Sequence, residues 1–172
     1  DVFAKAQAEQ QQLQLSEPLS FEQLKLMPYL DQVLKEVLRF VPPVGGAFRQ
    51  VIETCEFNGY TLPKGWSVLY QIGRTHYDPS IYNEPDKFDP DRFFPERTEE
   101  KPYGYLPFGG GMRECLGKEF AKLEMKILAI LLLREYEWEL LANQNLEMTV
   151  APTPHPKDDL LVNFRRSQNY VK

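Results

Sequence analysis

Cysteine and histidine are scarce. The 172 residues hold only Cys55, Cys115, His76 and His155 of these types. Two cysteines cannot build a disulfide-rich secreted scaffold. A four-ligand zinc site would need all four residues, and no C-x-x-C or H-x-x-x-H spacing occurs, so no structural zinc is expected. A basic excess is lacking as well: 20 Lys and Arg against 25 Asp and Glu give a net charge of -5, so no nucleic-acid partner is expected. Long apolar runs are missing. The longest, Ile127 to Leu133, has seven residues, whereas a membrane-spanning helix needs about 20. The opening stretch 1–15 has no basic patch and no continuous apolar segment, unlike a secretory signal. A soluble, cytoplasmic protein is expected, with a membrane anchor in a longer parent left open. Asp1 is not Met, and 2–15 reads as the end of a polar helix with a solvent-like Gln run, so the chain is expected to begin inside a larger protein.

Proline is the residue in excess, 14 of 172 against the usual ~5%. The 42% hydrophobic and 26% charged content is that of a globular chain. Ser20 and Gln23 fit a capping box opening a short helix that Pro28 stops. Leu30, Val33, Leu34, Val37 and Leu38 recur at helical spacing, predicting an amphipathic helix over 30–40 ended by Pro42-Pro43. Short strands are predicted at 48–52, 56–57, 60–62 and 66–70, forming a small antiparallel sheet with Asn58-Gly59 as a hairpin turn. Between Pro79 and Pro107 lie Pro85, Pro90, Pro95 and Pro102 among many aromatics. That density excludes helices and central strands, and the aromatics predict an ordered, packed meander. A long helix is predicted over 116–136, followed by strand-like pieces at 138–141, 146–150 and 160–164.

The glycine run at 109–111 invites a phosphate-binding reading. From Gly111 to Gly117 the Walker spacing is one residue too long, and Glu119 stands where its hydroxyl should be. The G-x-G-x-x-G pattern from Gly109 fails at Glu114. Cys115 offers another purpose for the loop. At the start of the predicted long helix, its thiolate would be favoured by unpaired N–H groups and the helix dipole. The glycines would allow a large flat ligand to approach the backbone, and Arg113 could bind a carboxylate.

Phe108-x-x-Gly111-x-Arg113-x-Cys115-x-Gly117 resembles the haem-binding loop of cytochrome P450 monooxygenases. Average residue usage makes that pattern a chance event on the order of 10⁻⁵ for this length. Glu36 and Arg39, sharing a helix face at i, i+3, match the family's E-x-x-R pair. Phe88-Asp-Pro-Asp-Arg92-Phe93 matches its F-x-P-E-R-F motif, with Asp91 in place of the commoner Glu. The resemblance extends over essentially the whole chain and is most detailed for the retinoic-acid hydroxylase branch, through Pro42 to Arg49, Phe57 to Tyr60, Pro63 to Trp66 and Pro107 to Ala121.

The resemblance implies a mainly α fold with small antiparallel sheets. It implies that 1–172 is the C-terminal haem-ligating portion of a single larger monooxygenase domain. The cofactor would be haem b (iron protoporphyrin IX), with Cys115 as proximal iron ligand. Phe108, Gly111, Arg113, Gly117 and Arg49 would contact the haem, the two arginines through its propionates. Glu36, Arg39 and Arg92 would form a buried charge network. Val44, Gly45, Ala47, Phe48 and Thr153 would line the substrate pocket. The reaction implied is insertion of one oxygen atom from O₂ into a C–H bond of a lipophilic substrate, a retinoid or isoprenoid acid being the hypothesis, with electrons from a ferredoxin or a reductase. A stripe of Lys118, Lys122 and Lys126 would dock the acidic donor. No catalytic residue is assigned, because the family's distal O₂-activating helix has no counterpart in 1–172, and this stretch alone is expected to be inactive. A non-catalytic haem-binding remnant and a peroxide-using peroxygenase are the competing readings. Neither His76 nor His155 is given a role.

Overall fold

The computed structural model describes residues 1–13, 15, 18–97, 101–149 and 153–167. The predicted strand end at Val150 lies outside them. Helix α1, Val2–Gln12, is capped by the Asp1 carboxylate accepting the Phe3 N–H. It is not the solvated helix its composition suggests. Ala6 and Gln10, one turn apart, are buried where α1 packs on α3 and α5. Helix α2, Phe21–Leu24, begins with the full reciprocal capping box between Ser20 and Gln23.

Pro28 does more than stop α2, since it opens α3, Pro28–Phe40, at a position where a missing N–H costs nothing. The residue preceding it, Met27, supplies no side-chain cap. Glu9 of α1 takes that role from a distance: its carboxylate accepts the Tyr29 and Leu30 N–H groups at 2.8 and 3.0 Å. An anion at a helix N-terminus satisfies orphan donors and meets the positive end of the dipole. Helix α5, Lys118–Glu135, packs against α1 and α3. Ala6, Leu24, Met27, Leu30, Ile130 and Leu133 form the core between these helices.

The sheet structure after α3 consists of two separate ladders, not one sheet. Strand β1, Gly46–Gln50, pairs antiparallel with β4, Ser67–Gln71, and β2, Cys55–Phe57, pairs with β3, Tyr60–Leu62. Strand β1 starts two residues before the expected Phe48, because a Cβ at Gly46 would collide with the Tyr70 carbonyl and only glycine lets the strands meet there. Asn58 and Gly59 both take positive φ, 51° and 82°, as a two-residue hairpin turn of the twisted kind requires. Helix α4, Ile72–His76, leads into the meander. There Tyr82, Pro90, Arg92 and Phe93 are buried, with one 3₁₀ turn at Pro90–Phe93. Two further antiparallel pairs follow α5: β5, Tyr136–Leu140, with β8, Val162–Arg166, and β6, Met148–Thr149, with β7, His155–Pro156. No helix among the described residues is long and apolar enough to cross a membrane.

Candidate functional site

The structure brings Glu36, Arg39 and Arg92 together with essentially no solvent contact. Arg39 forks onto the Glu36 carboxylate, Nε to Oε2 at 2.7 Å and Nη2 to Oε1 at 2.9 Å. Arg92 Nε reaches Oε1 at 3.2 Å, and the Asp89 N–H donates to the same oxygen at 2.8 Å. One carboxylate thus faces two guanidinium groups. Backbone carbonyls of His76, Asn83 and Lys87 accept the remaining N–H groups, and the Tyr82 ring lies under both cations. The cluster ties α3 to the meander.

His76 is the residue that sequence reasoning missed. It is fully buried and stacks on Tyr105. Its Nδ1 lies 3.1 Å from the Arg39 carbonyl, and its Nε2 accepts the Leu106 N–H at 2.9 Å. Those two bonds require the neutral Nδ1–H tautomer. Burial, with Arg39 nearby, pulls the His76 pKa down from 6.5 to about 4. The folded value lies below the unfolded one, so the neutral form contributes stability at pH 7 that is lost as pH falls from 6.5 toward 4. Over that span the loss is about 3 kcal/mol. Denaturation midpoints at pH 7 and pH 4.5 should separate more for the wild type than for His76→Gln, which carries no titrating ring.

The segment after Leu106 forms the cysteine loop. Gly109 and Gly111 adopt φ of 73° and 68°, values that disfavour any side chain. The Gly109 N–H bonds to the Leu106 carbonyl, and the Cys115 N–H bonds to the Phe108 carbonyl at 3.0 Å. A 3₁₀ turn spans Gly111–Arg113. Helix α5 begins at Lys118 with Gly117 as its N-cap. Cys115 therefore sits just before the helix, not in its first turn. The glycines after Pro107 and the turn at 111–113 delay the helical geometry. The Cys115 thiol is free and exposed, and a Cβ on Gly117 would lie 3.8 Å from its Sγ. Met112 and Leu116, which flank it in the chain, are 103% and 105% exposed, an open apolar rim.

Strand alternation decides what faces this loop. Ala47, Arg49 and Tyr70 share one face of the β1–β4 ladder, and Phe48 lies on the other. Tyr70 connects that first face to the loop: a Cβ on Gly109 would lie 3.1 Å from its hydroxyl. The Arg49 guanidinium covers the Tyr70 ring and its Nη2 lies 3.4 Å from the hydroxyl. Arg49 is thereby brought beside the loop, while Phe48, 69% exposed, is turned from it. Val44 and Gly45 are exposed just ahead of β1, and Arg113 is exposed at the end of its 3₁₀ turn. Thr153 is exposed at the β6–β7 hairpin with its carbonyl against the His155 ring.

The lysine stripe is not the free basic face that its spacing suggests. Lys118 pairs with Glu114 at 2.8 Å, Lys122 with Glu119 at 3.0 Å, and the buried Lys126 with Asp31 at 2.6 Å. Each cation has a carboxylate partner, and Lys126 is spent on joining α5 to α3. A cleft of about 950 Å³ opens on this side, lined by Leu34, Phe93, Tyr105, Phe108, Phe120 and Leu123 among others. Neither Cys115 nor Arg49 borders it.

The cytochrome P450 family model matches residues 1–162. The chain belongs to the cytochrome P450 family. Cytochrome P450 120 of Synechocystis sp. is 56% identical over 164 residues, covering 94% of this chain and 37% of that protein. Cytochrome P450 26B1 of Xenopus tropicalis is 47% identical over 148 residues, covering 85% and 29%. A solved structure described as retinoic acid bound cyanobacterial CYP120A1 superposes with a TM-score of 0.91 at 54% identity, covering 97% of this chain and 39% of that one. The cytochrome P450 fold, helical with small antiparallel sheets, accounts for the whole arrangement described above. The chain spans less than two fifths of the length of these relatives. Cytochrome P450 proteins carry haem b.

Proposed function

We propose that this chain is the haem-ligating portion of a larger haem-thiolate monooxygenase domain, with Cys115 as the iron ligand. The carrying observation is a free, exposed thiol on a glycine loop whose backbone is bonded at both ends, Leu106 to Gly109 and Phe108 to Cys115. The residues fit haem b. The apolar rim of Met112 and Leu116 suits a flat macrocycle, and Gly109 and Gly111 at positive φ keep side chains off it. Arg49 and Arg113 suit its propionates, with Phe108 and Gly117 completing the cradle. The exposed apolar α5 residues Leu128 and Leu131 agree with a remainder of the domain packing there.

Bound haem with a thiolate ligand supplies O₂ activation, the thiolate favouring O–O cleavage, so that one oxygen atom enters a substrate C–H bond. The chain's own residues hold and orient. Cys115 would supply the sulfur ligand, Arg49 and Arg113 would bind the propionates and so orient the cofactor, and the Glu36 cluster keeps the meander against α3. The Val44, Gly45, Ala47 and Phe48 stretch, with Thr153, borders the substrate, Phe48 from the face of β1 opposite Arg49. The substrate is a lipophilic acid of retinoid type, supported by the similarity to the retinoic acid bound structure. The electron donor is a ferredoxin or a reductase, and the solvent-accessible Lys118 and Lys122 remain available to an acidic one because surface ion pairs are weak, whereas the buried Lys126 is not.

Two measurements on the full-length haem protein test this. The reduced protein with CO should give the strongly red-shifted Soret band of thiolate ligation, and its absence removes the monooxygenase reading. Titrated retinoic acid should shift the Soret band and yield a hydroxylated product. A protein with the red-shifted band but neither response would remain a haem-thiolate enzyme acting on something else.

A further inference from the structure

A run of hydrogen bonds, joined by short stretches of backbone, leads from the buried charge cluster to the cysteine. Glu36 holds the Arg39 guanidinium, and Arg39 Nη1 donates to the His76 carbonyl at 2.7 Å. The His76 ring returns the contact through Nδ1 to the Arg39 carbonyl, and its Nε2 takes the Leu106 N–H. The Leu106 carbonyl then holds Gly109, and the Phe108 carbonyl holds Cys115. Tyr105, next to Leu106, is fixed twice more: its ring stacks on His76, and its hydroxyl donates to the Lys35 carbonyl of α3 at 3.2 Å. Nothing in this run is solvent-filled at the histidine, which is fully buried.

We propose that His76 is a positioning residue for Cys115: its Nε2 sets the register of the segment 105–109 against α3 and so the placement of the thiol. The physical ground is the asymmetry of buried hydrogen bonds. A packed N–H deprived of its acceptor costs more than the bond itself gains, so the partly buried Leu106 amide is held where the buried Nε2 receives it. Gly109 and Cys115 inherit that position through backbone bonds that leave little slack. A packing residue of similar volume would fill the same space without this directional demand. The proposal rests on Cys115 being the ligand, but its first readout does not.

That readout is amide hydrogen exchange of the full-length wild-type protein. Leu106, Gly109 and Cys115 should exchange together, as one opening unit. Rapid exchange at Leu106 with Cys115 still protected would overturn the proposal. Variants then separate the two ring nitrogens. His76→Gln places an acceptor near the Nε2 position, and His76→Asn keeps only a donor near Nδ1. Asn should speed exchange at all three amides by about tenfold or more, the factor expected when a buried acceptor is lost, and should shift the reduced CO spectrum away from the thiolate form. Gln should retain most of both. Equal behaviour of Gln and Asn would make His76 merely structural and overturn the proposal, and if neither variant folds, the wild-type exchange pattern decides. Failure of the red-shifted band in the wild type itself would instead remove the haem-thiolate reading and leave the exchange coupling standing.

Discussion

Replacing Glu36 with Gln is expected to destabilise the protein by about 3–5 kcal/mol, the usual cost of removing one partner from a buried ion pair. Total stabilities of about 5–15 kcal/mol make that a large fraction. Two guanidinium groups would be left facing a neutral amide, with the Asp89 N–H competing for its single carbonyl oxygen. The internal control has the same spacing. Glu22 and Lys25 also pair at i, i+3, at 2.9 Å, but their side chains are 80% and 68% exposed, against none for Glu36 and Arg39. Glu22→Gln should cost less than about 1 kcal/mol. Urea midpoints of both variants measure the contrast. Equal small effects would mean that the cluster is hydrated in solution and does not anchor the meander.

The contrast also marks what sequence can disclose. An i, i+3 pair is visible in the chain, but its burial is not. Only the matching Arg92 motif and the cysteine loop distinguished Glu36–Arg39 from Glu22–Lys25 beforehand. Local chemistry was legible: the Ser20–Gln23 capping box, the Asn58-Gly59 turn and the apolar stripe of α3 each depend on neighbours within one turn of helix or one hairpin. Contacts that span the chain were not. His76 meets Arg39 and Leu106 across 37 and 30 residues, through backbone atoms that carry no sequence signature. Glu9 caps a helix 20 residues away, so its helix read as solvated. The lysine stripe divides along the same line: the partners of Lys118 and Lys122 lie four and three residues away and were readable in the chain, whereas Asp31, the partner of Lys126, lies 95 residues off. The face each residue of 44–48 presents was equally hidden, because neighbours on a strand point opposite ways and Ala47 and Phe48 therefore separate.

Cys115→Ala is expected to behave in the opposite manner to Glu36→Gln, losing function and keeping the fold. The thiol is exposed, so removing it sacrifices little buried surface, and exposed substitutions away from caps and networks usually stay within about 0.5 kcal/mol. The bond from the Cys115 N–H to the Phe108 carbonyl survives, because alanine supplies the same backbone donor. The sulfur has no substitute: among the described residues the other cysteine is Cys55, exposed at the start of β2 on a ladder of its own. The red-shifted band of the reduced CO complex should therefore vanish entirely in Cys115→Ala and persist in Cys55→Ala, with both denaturation midpoints near wild type. A band that survives in Cys115→Ala would refute the assignment of the ligand. A Cys115→Ala protein that unfolds would refute the claim that the loop is held by its backbone bonds and by His76, and not by the group the thiol binds.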